Sequence, residues 1–182
     1  MTRKEILLLH GFISSGQSTK ARYVGERFET TPDVAFHAVD FNPTSQDFAY
    51  MTVTGRIERM LLLAPALSWL SGGLTEEELR QWEEADAVSI FHPAFGKEVP
   101  LRYDLQLDGR RYREPIPPPA LVTIIHGRDD RTVPIDHSRA YAATYPDDVC
   151  LVEVGADHDL NGHLDMIWEH VQSFLLEDQG GL

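Results

Sequence analysis

The sequence predicts an α/β protein, a mainly parallel sheet flanked by helices, and three observations lead there. Short apolar, β-branched runs alternate with segments of helical spacing along most of the 182 residues. The clearest stretch reads strand, helix, strand: Leu121-Val-Thr-Ile-Ile125, then Ile135 to Tyr145, then Val149-Cys-Leu-Val-Glu-Val154. Such a βαβ unit makes its strands parallel, with both carboxyl ends on one edge, where open α/β sheets hold their ligand crevices. A polar loop follows each of these strands, Gly127 to Pro134 and Gly155 to Leu160.

Taken in order, Glu5 to His10 is the first strand, followed by the polar loop Ile13-Ser-Ser-Gly16. A helix runs from about Ser18 to Phe28, with Ser18 or Gln17 near its N-cap and Ala21, Val24 and Phe28 as one buried stripe. Pro32-Asp33 breaks it, and Val34 to Val39 is the second strand. Pro43 opens a helix towards Arg59 with Phe48, Met51, Ile57 and Met60 inward, and the third core strand follows, ending at Leu63.

From about 66 to 119 the pattern changes, and this insertion reads as a lid over the strand ends. Thr75-Glu-Glu-Glu78 is a capping box that starts a helix to about Ala87. Leu101 to Leu107 alternates as a strand, Asp108-Gly109 reads as a hairpin turn with Arg110 to Arg113 returning, and Pro115 to Pro119 is a stiff exit. The last helix, Gly162 to Glu177, carries Leu164, Ile167, Trp168, Val171, Phe174 and Leu175 at helical spacing. Residues 1–182 are expected to form a single domain.

The net charge of -13 argues against nucleic acid and anionic membrane surfaces, both of which call for clustered Lys and Arg. Cys150, the one cysteine, lies in an apolar strand and reads as packing. Only Ile6 to Leu9 precede His10 as an apolar run, short of the roughly 7 to 15 residues of a signal peptide. The expectation is a cytoplasmic protein without cofactor or metal.

Asp130 and His158, on successive strand-end loops, are two thirds of a catalytic triad. Histidine titrates near neutrality and can take and return a proton, while a neighbouring carboxylate orients the ring and stabilises the imidazolium. Asp129 is a rival for the acid, and a loop aspartate also caps turns. Asp157-His158-Asp159 with His163 offers a mixed nitrogen and oxygen metal set, but on a loop with no fixed face. Gly11-Phe-Ile-Ser-Ser-Gly16-Gln17-Ser18 has the spacing of a phosphate-binding P-loop, with Gln17 where the lysine belongs. An anion or nucleotide site there would leave Asp130 and His158 unexplained.

His126-Gly127-x-x-Asp130-x-x-Val133-Pro134, followed by Gly155-x-x-His158 before a last helix, resembles the α/β-hydrolase superfamily. His10-Gly11-Phe12 resembles the oxyanion-hole turn of its small bacterial serine esterases, and Leu61-Leu-Leu-Ala-Pro65 the strand after the nucleophile's helix. The resemblance implies a carboxylic ester hydrolase acting on small acyl esters, with Asp130 and His158 catalytic. It also implies an oxyanion hole at Gly11 and Phe12, built on the backbone N–H of Phe12.

One part of the family pattern is missing: no two glycines stand four apart with a serine midway, so the G-x-S-x-G elbow is absent. Gly16-Gln-Ser18-Thr-Lys20 comes nearest. Between Phe41 and Met60 there is room for one helix, whereas an elbow strand and second helix need about 30 residues more. Ser14, Ser15 and Ser18 are the substitutes beside the first strand's end, while Ser68 and Ser71 suit a lid hinge. The alternative is a relic or small-molecule binding module of the same lineage. A sheet shortened in this way is expected to close its first core strand against its third. Edges left open would favour a homodimer.

Overall fold

A computed structural model of the chain describes residues 4–11, 14–39, 57–67, 74–92, 95–110 and 117–176. The chain forms two compact units, one of Met1–Arg56, His92–Gly96 and Asn161–Leu182, the other of Ile57–Phe91 and Lys97–Leu160.

In the first unit, β1 (Lys4–Leu9) lies parallel to β2 (Val34–Val39), in register from Lys4 opposite Val34 to Leu9 opposite Val39. The crossover is α1 (Thr19–Phe28), capped by Ser18, whose Oγ accepts from the Ala21 N–H at 3.3 Å. Ala21, Val24 and Phe28 are buried at helical spacing. Phe28 stacks on Phe36 at 5.0 Å between ring centroids and meets Trp168 edge-on at 5.2 Å. Trp168 belongs to α5 (Leu164–His170), entered through a 3-10 turn at Asn161–His163 and continued by π-helical turns over Val171–Leu176. Arg27 lies 3.4 Å above the Tyr23 ring and pairs with Asp165 at 3.6 Å, tying α1 to the start of α5.

In the second unit, β3 (Arg59–Leu63), β6 (Leu121–Gly127) and β7 (Val149–Val154) form a parallel sheet in that order. α4 (Asp136–Thr144) crosses from β6 to β7. Between β3 and β6 the chain makes α2 (Glu76–Ala85), β4 (Ala87–His92), β5 (Lys97–Arg102) and α3 (Asp104–Gly109). The capping box forms: Thr75 Oγ1 accepts from the Glu78 N–H at 3.2 Å and Glu78 Oε2 from the Thr75 N–H at 2.7 Å. Trp82 is buried, donating its Nε1–H to the Leu101 carbonyl at 2.9 Å. The core packs Val122 and Ile124 of β6 and Val149 of β7 against Tyr141 of α4, with Met60, Leu62 and Leu151 around them.

Several expectations need correction. The strand read over Leu101 to Leu107 ends at Arg102, and Asp108-Gly109 is the end of α3 rather than a hairpin turn. Tyr103 and Gln106, three apart, are both buried, which is a helical spacing. The hairpin is β4 and β5, paired across a connection so short that only antiparallel strands fit it, with Gly96 at φ 60°. Cys150 is exposed because the alternation along β7 turns Val149 inward and Cys150 out. Ile57, expected on an inward helical face, is 43% exposed just ahead of β3.

β1, paired with β2, and β3, paired with β6, belong to different compact units. All five residues of β3 are half-buried, and Leu9 of β1 is 58% exposed. Phe12, Ser68, Ser71 and the segment 40–56, including Pro43, Phe48 and Met51, lie outside the described residues, as do Arg111 to Arg113.

Candidate active site

The site forms in the second unit, at the carboxyl ends of β6 and β7. Its rigidity begins with Gly127, the last residue of β6. A Cβ built there would lie 2.1 Å from the Ala156 carbonyl oxygen and 2.7 Å from that of Asp157, so only glycine lets the two loops approach so closely. Backbone hydrogen bonds join the loops at the same place, from Arg128 N–H to Val154 O at 2.8 Å and from Asp129 N–H to Ala156 O at 3.0 Å. The β6 loop, which carries Asp130, is thereby laced to the β7 loop, which carries His158.

Asp130 is buried and uses both carboxylate oxygens. Oδ1 accepts from the backbone N–H groups of Thr132 and Val133, each at 2.8 Å. Oδ2 accepts from His158 Nδ1 at 2.8 Å and from His126 Nε2 at 3.1 Å. Burial pushes the Asp130 carboxyl upward, but the Val133 amide, the His158 imidazole and the Thr132 amide outweigh it and hold the group below its ordinary value. Asp130 is therefore a carboxylate at neutral pH.

With Nδ1 donating to Asp130, the Nε2 of His158 carries the lone pair, and the side chain is 39% exposed. No described residue hydrogen-bonds that nitrogen. An oriented imidazole with one nitrogen held by a carboxylate and the other open is the geometry of a general base. Two residues beyond His158, Leu160 is wholly buried at φ 54°, a conformation that costs a non-glycine residue on the order of 1 to 2 kcal/mol. Burying a leucine side chain stabilises by roughly 1.5 to 3 kcal/mol, enough to hold that turn.

The structure brings Asp130 to His158 and leaves Asp129 on the outer side of the turn, exposed. It also reveals two partners that the sequence reading did not single out. His126 is fully buried, and its Nε2 faces the Val133 carbonyl at 3.0 Å as well as Asp130. Its Nδ1 lies 2.7 Å from the Oγ of Ser138, also fully buried. The signal was present as period two: Val122, Ile124 and His126 share the face of β6 towards α4, and Ser138 and Tyr141 are neighbours on the facing side of that helix.

The other candidates are placed as follows. Gly11 stands two residues after β1, with His10 Nδ1 2.8 Å from its carbonyl oxygen. Ser15 Oγ accepts from the Gln17 N–H at 3.2 Å, and Ser18 caps α1. Ser14 donates its own backbone N–H to Gly11 O at 3.1 Å. Among the described residues no group of three or more His, Cys, Asp or Glu could hold a metal ion. Nor is any described helix long and apolar enough to cross a membrane.

No protein-family model and no curated protein matches the sequence. Solved structures do match. Est1E from Butyrivibrio proteoclasticus with bound ferulic acid superimposes with a TM-score of 0.68 at 18% identity, over 96% of this chain and 89% of that one. A second structure of Est1E gives 0.60 at 17% identity, over 96% and 88%. Mouse alpha/beta hydrolase domain-containing protein 10 gives 0.68 at 16% identity, over 92% and 89%. With its parallel strands, crossover helices and these neighbours, the chain has an α/β-hydrolase-like fold.

Proposed function

We propose that the protein is a carboxylic ester hydrolase acting on small acyl esters, with His158 as general base and Asp130 as the carboxylate that orients it. The observation that carries this reading is the 2.8 Å hydrogen bond from His158 Nδ1 to Asp130 Oδ2, which leaves Nε2 open. The fold similarity to Est1E adds a hydrolase context. Gly11 and Phe12 would supply the oxyanion turn, and the insertion at about 66–119 a lid.

Without an elbow serine, the nucleophile in this reading is water. His158 Nε2 takes a proton from water as its oxygen adds to the acyl carbon. The ester C–O bond then breaks, and the imidazolium returns the proton to the departing alkoxide, giving acid and alcohol. A triad stripped of its nucleophile loses on the order of a million-fold in turnover, so such an enzyme would be slow and favour activated esters.

The test combines p-nitrophenyl acetate hydrolysis with fluorophosphonate labelling, in the full chain and in His158→Ala. Hydrolysis that falls about a hundredfold or more in the variant, with no serine labelled, is the expected result. A labelled serine that disappears in His158→Ala would replace water by that residue, and its peptide would show whether Ser14, Ser15 or Ser18 is used. Neither hydrolysis nor labelling in a folded sample would favour the relic reading, a small-molecule binding module. That second reading rests on the missing G-x-S-x-G serine.

A further inference from the structure

We infer that His126 and Ser138 are positioning residues of the site, forming a buried relay that holds the Asp130 carboxylate for His158. The proton positions follow from the acceptors. His126 Nε2 faces only acceptors, the Asp130 carboxylate at 3.1 Å and the Val133 carbonyl at 3.0 Å, so it carries the proton. Nδ1 then accepts from the Ser138 hydroxyl at 2.7 Å. The relay runs Ser138 O–H to His126 Nδ1, His126 Nε2–H to Asp130 Oδ2, and meets His158 Nδ1–H on that same oxygen.

Two features separate this from ordinary core packing. Ser138, Asp130 and His126 have no exposed side-chain surface, so each hydrogen bond acts in a low dielectric and each lost partner leaves a buried polar group. Both histidines also donate to one oxygen, so the charge that steers His158 is shared with His126. A donor bonded at its far nitrogen by a hydroxyl is polarised into a better donor, which makes Ser138 part of the same balance. With four donors on two oxygens, the carboxylate has no free rotation.

The inference rests on the proposed hydrolysis only for its effect on turnover; the hydrogen-bond readout stands without it. Proton NMR of the nitrogen-15-labelled full chain is expected to show two slowly exchanging, downfield imidazole N–H signals, from His126 Nε2 and His158 Nδ1. In His126→Phe the His158 signal moves further downfield, because one imidazole now has the oxygen to itself. In His126→Gln, whose amide reaches as Nε2 does, it returns towards the native position. Ser138→Ala, the milder change, moves the His126 signal upfield.

If p-nitrophenyl acetate is hydrolysed, His126→Phe lowers kcat by about a hundredfold with KM little changed, as misplacing a base does. Absence of hydrolysis with the NMR pattern intact would sink the proposed activity and leave the relay standing. The relay is overturned if native His126 carries its proton on Nδ1, a result that needs no variant to fold. It is equally overturned if folded His126→Phe or Ser138→Ala leaves both signals where they were.

Discussion

Asp130 is where one residue's chemistry sets a property of the protein. Its folded carboxyl titrates below its unfolded value, so its stabilising contribution is fully present above the unfolded value, about 3.9, and is lost as pH falls through the folded one. Unfolding by denaturant is expected to show Asp130→Asn destabilised at neutral pH by about 1 to 3 kcal/mol, since an amide has one acceptor oxygen and its NH2 would face either the two backbone N–H groups or the two imidazole donors. The gap to wild type should shrink below about pH 4, and a gap independent of pH would contradict the assignment. Gly127 makes a second single-residue prediction. Gly127→Ala drives a methyl into the Ala156 carbonyl, and a loss of about 1 to 3 kcal/mol is expected in the same measurement. The imidazole N–H signal of His158 should shift in the same variant, because that contact sets the distance between the two loops.

At the scale of elements, the loop holding His158 is anchored by Leu160 rather than by regular structure. Leu160→Ala is expected to cost about 2 to 5 kcal/mol, and hydrogen exchange should report the loosening around Gly155 to Leu160 first. The crossover helix α4 is tethered to β7 by Arg139, which donates to Glu153 at 2.8 and 2.7 Å and to Asp136 at 2.9 Å. That tether is exposed, so the helix is held mainly by Tyr141 and its apolar neighbours. Between β3 and β6, Thr75→Ala removes the cap of α2 and should destabilise the protein by about 1 kcal/mol, read as faster exchange in the first turn of that helix. α1, α2 and α4 could be read from sequence because caps and spacing are local. α3 could not, because four alternating residues and a terminal Gly suit a strand-turn as well as a short helix.

For the whole molecule, self-association turns on strand edges. Among the described residues β3 pairs only through β6, and its sequence, Arg-Met-Leu-Leu-Leu, has one charge to discourage edge pairing. A homodimer formed through that edge is expected, and sedimentation equilibrium would check it. Met60→Lys and Leu62→Lys, made separately, bear on the alternative of nonspecific association. Both lysines should yield monomer if the edge is the interface, and a dimer that persists in both would place it elsewhere.

The sequence alone determined the α/β class, the βαβ unit from β6 to β7, the capped helices and the pair Asp130 and His158. These rest on periods and spacings within about forty residues, where local rules hold. The tertiary structure alone decided that Asp130 rather than Asp129 faces His158, because that choice depends on how two loops lace together around Gly127. It also decided that His126 and Ser138 share the carboxylate's network and that Cys150 faces outward. Each of these depends on which side chains end up buried together, and burial is a property of packing between elements that no single stretch of sequence carries.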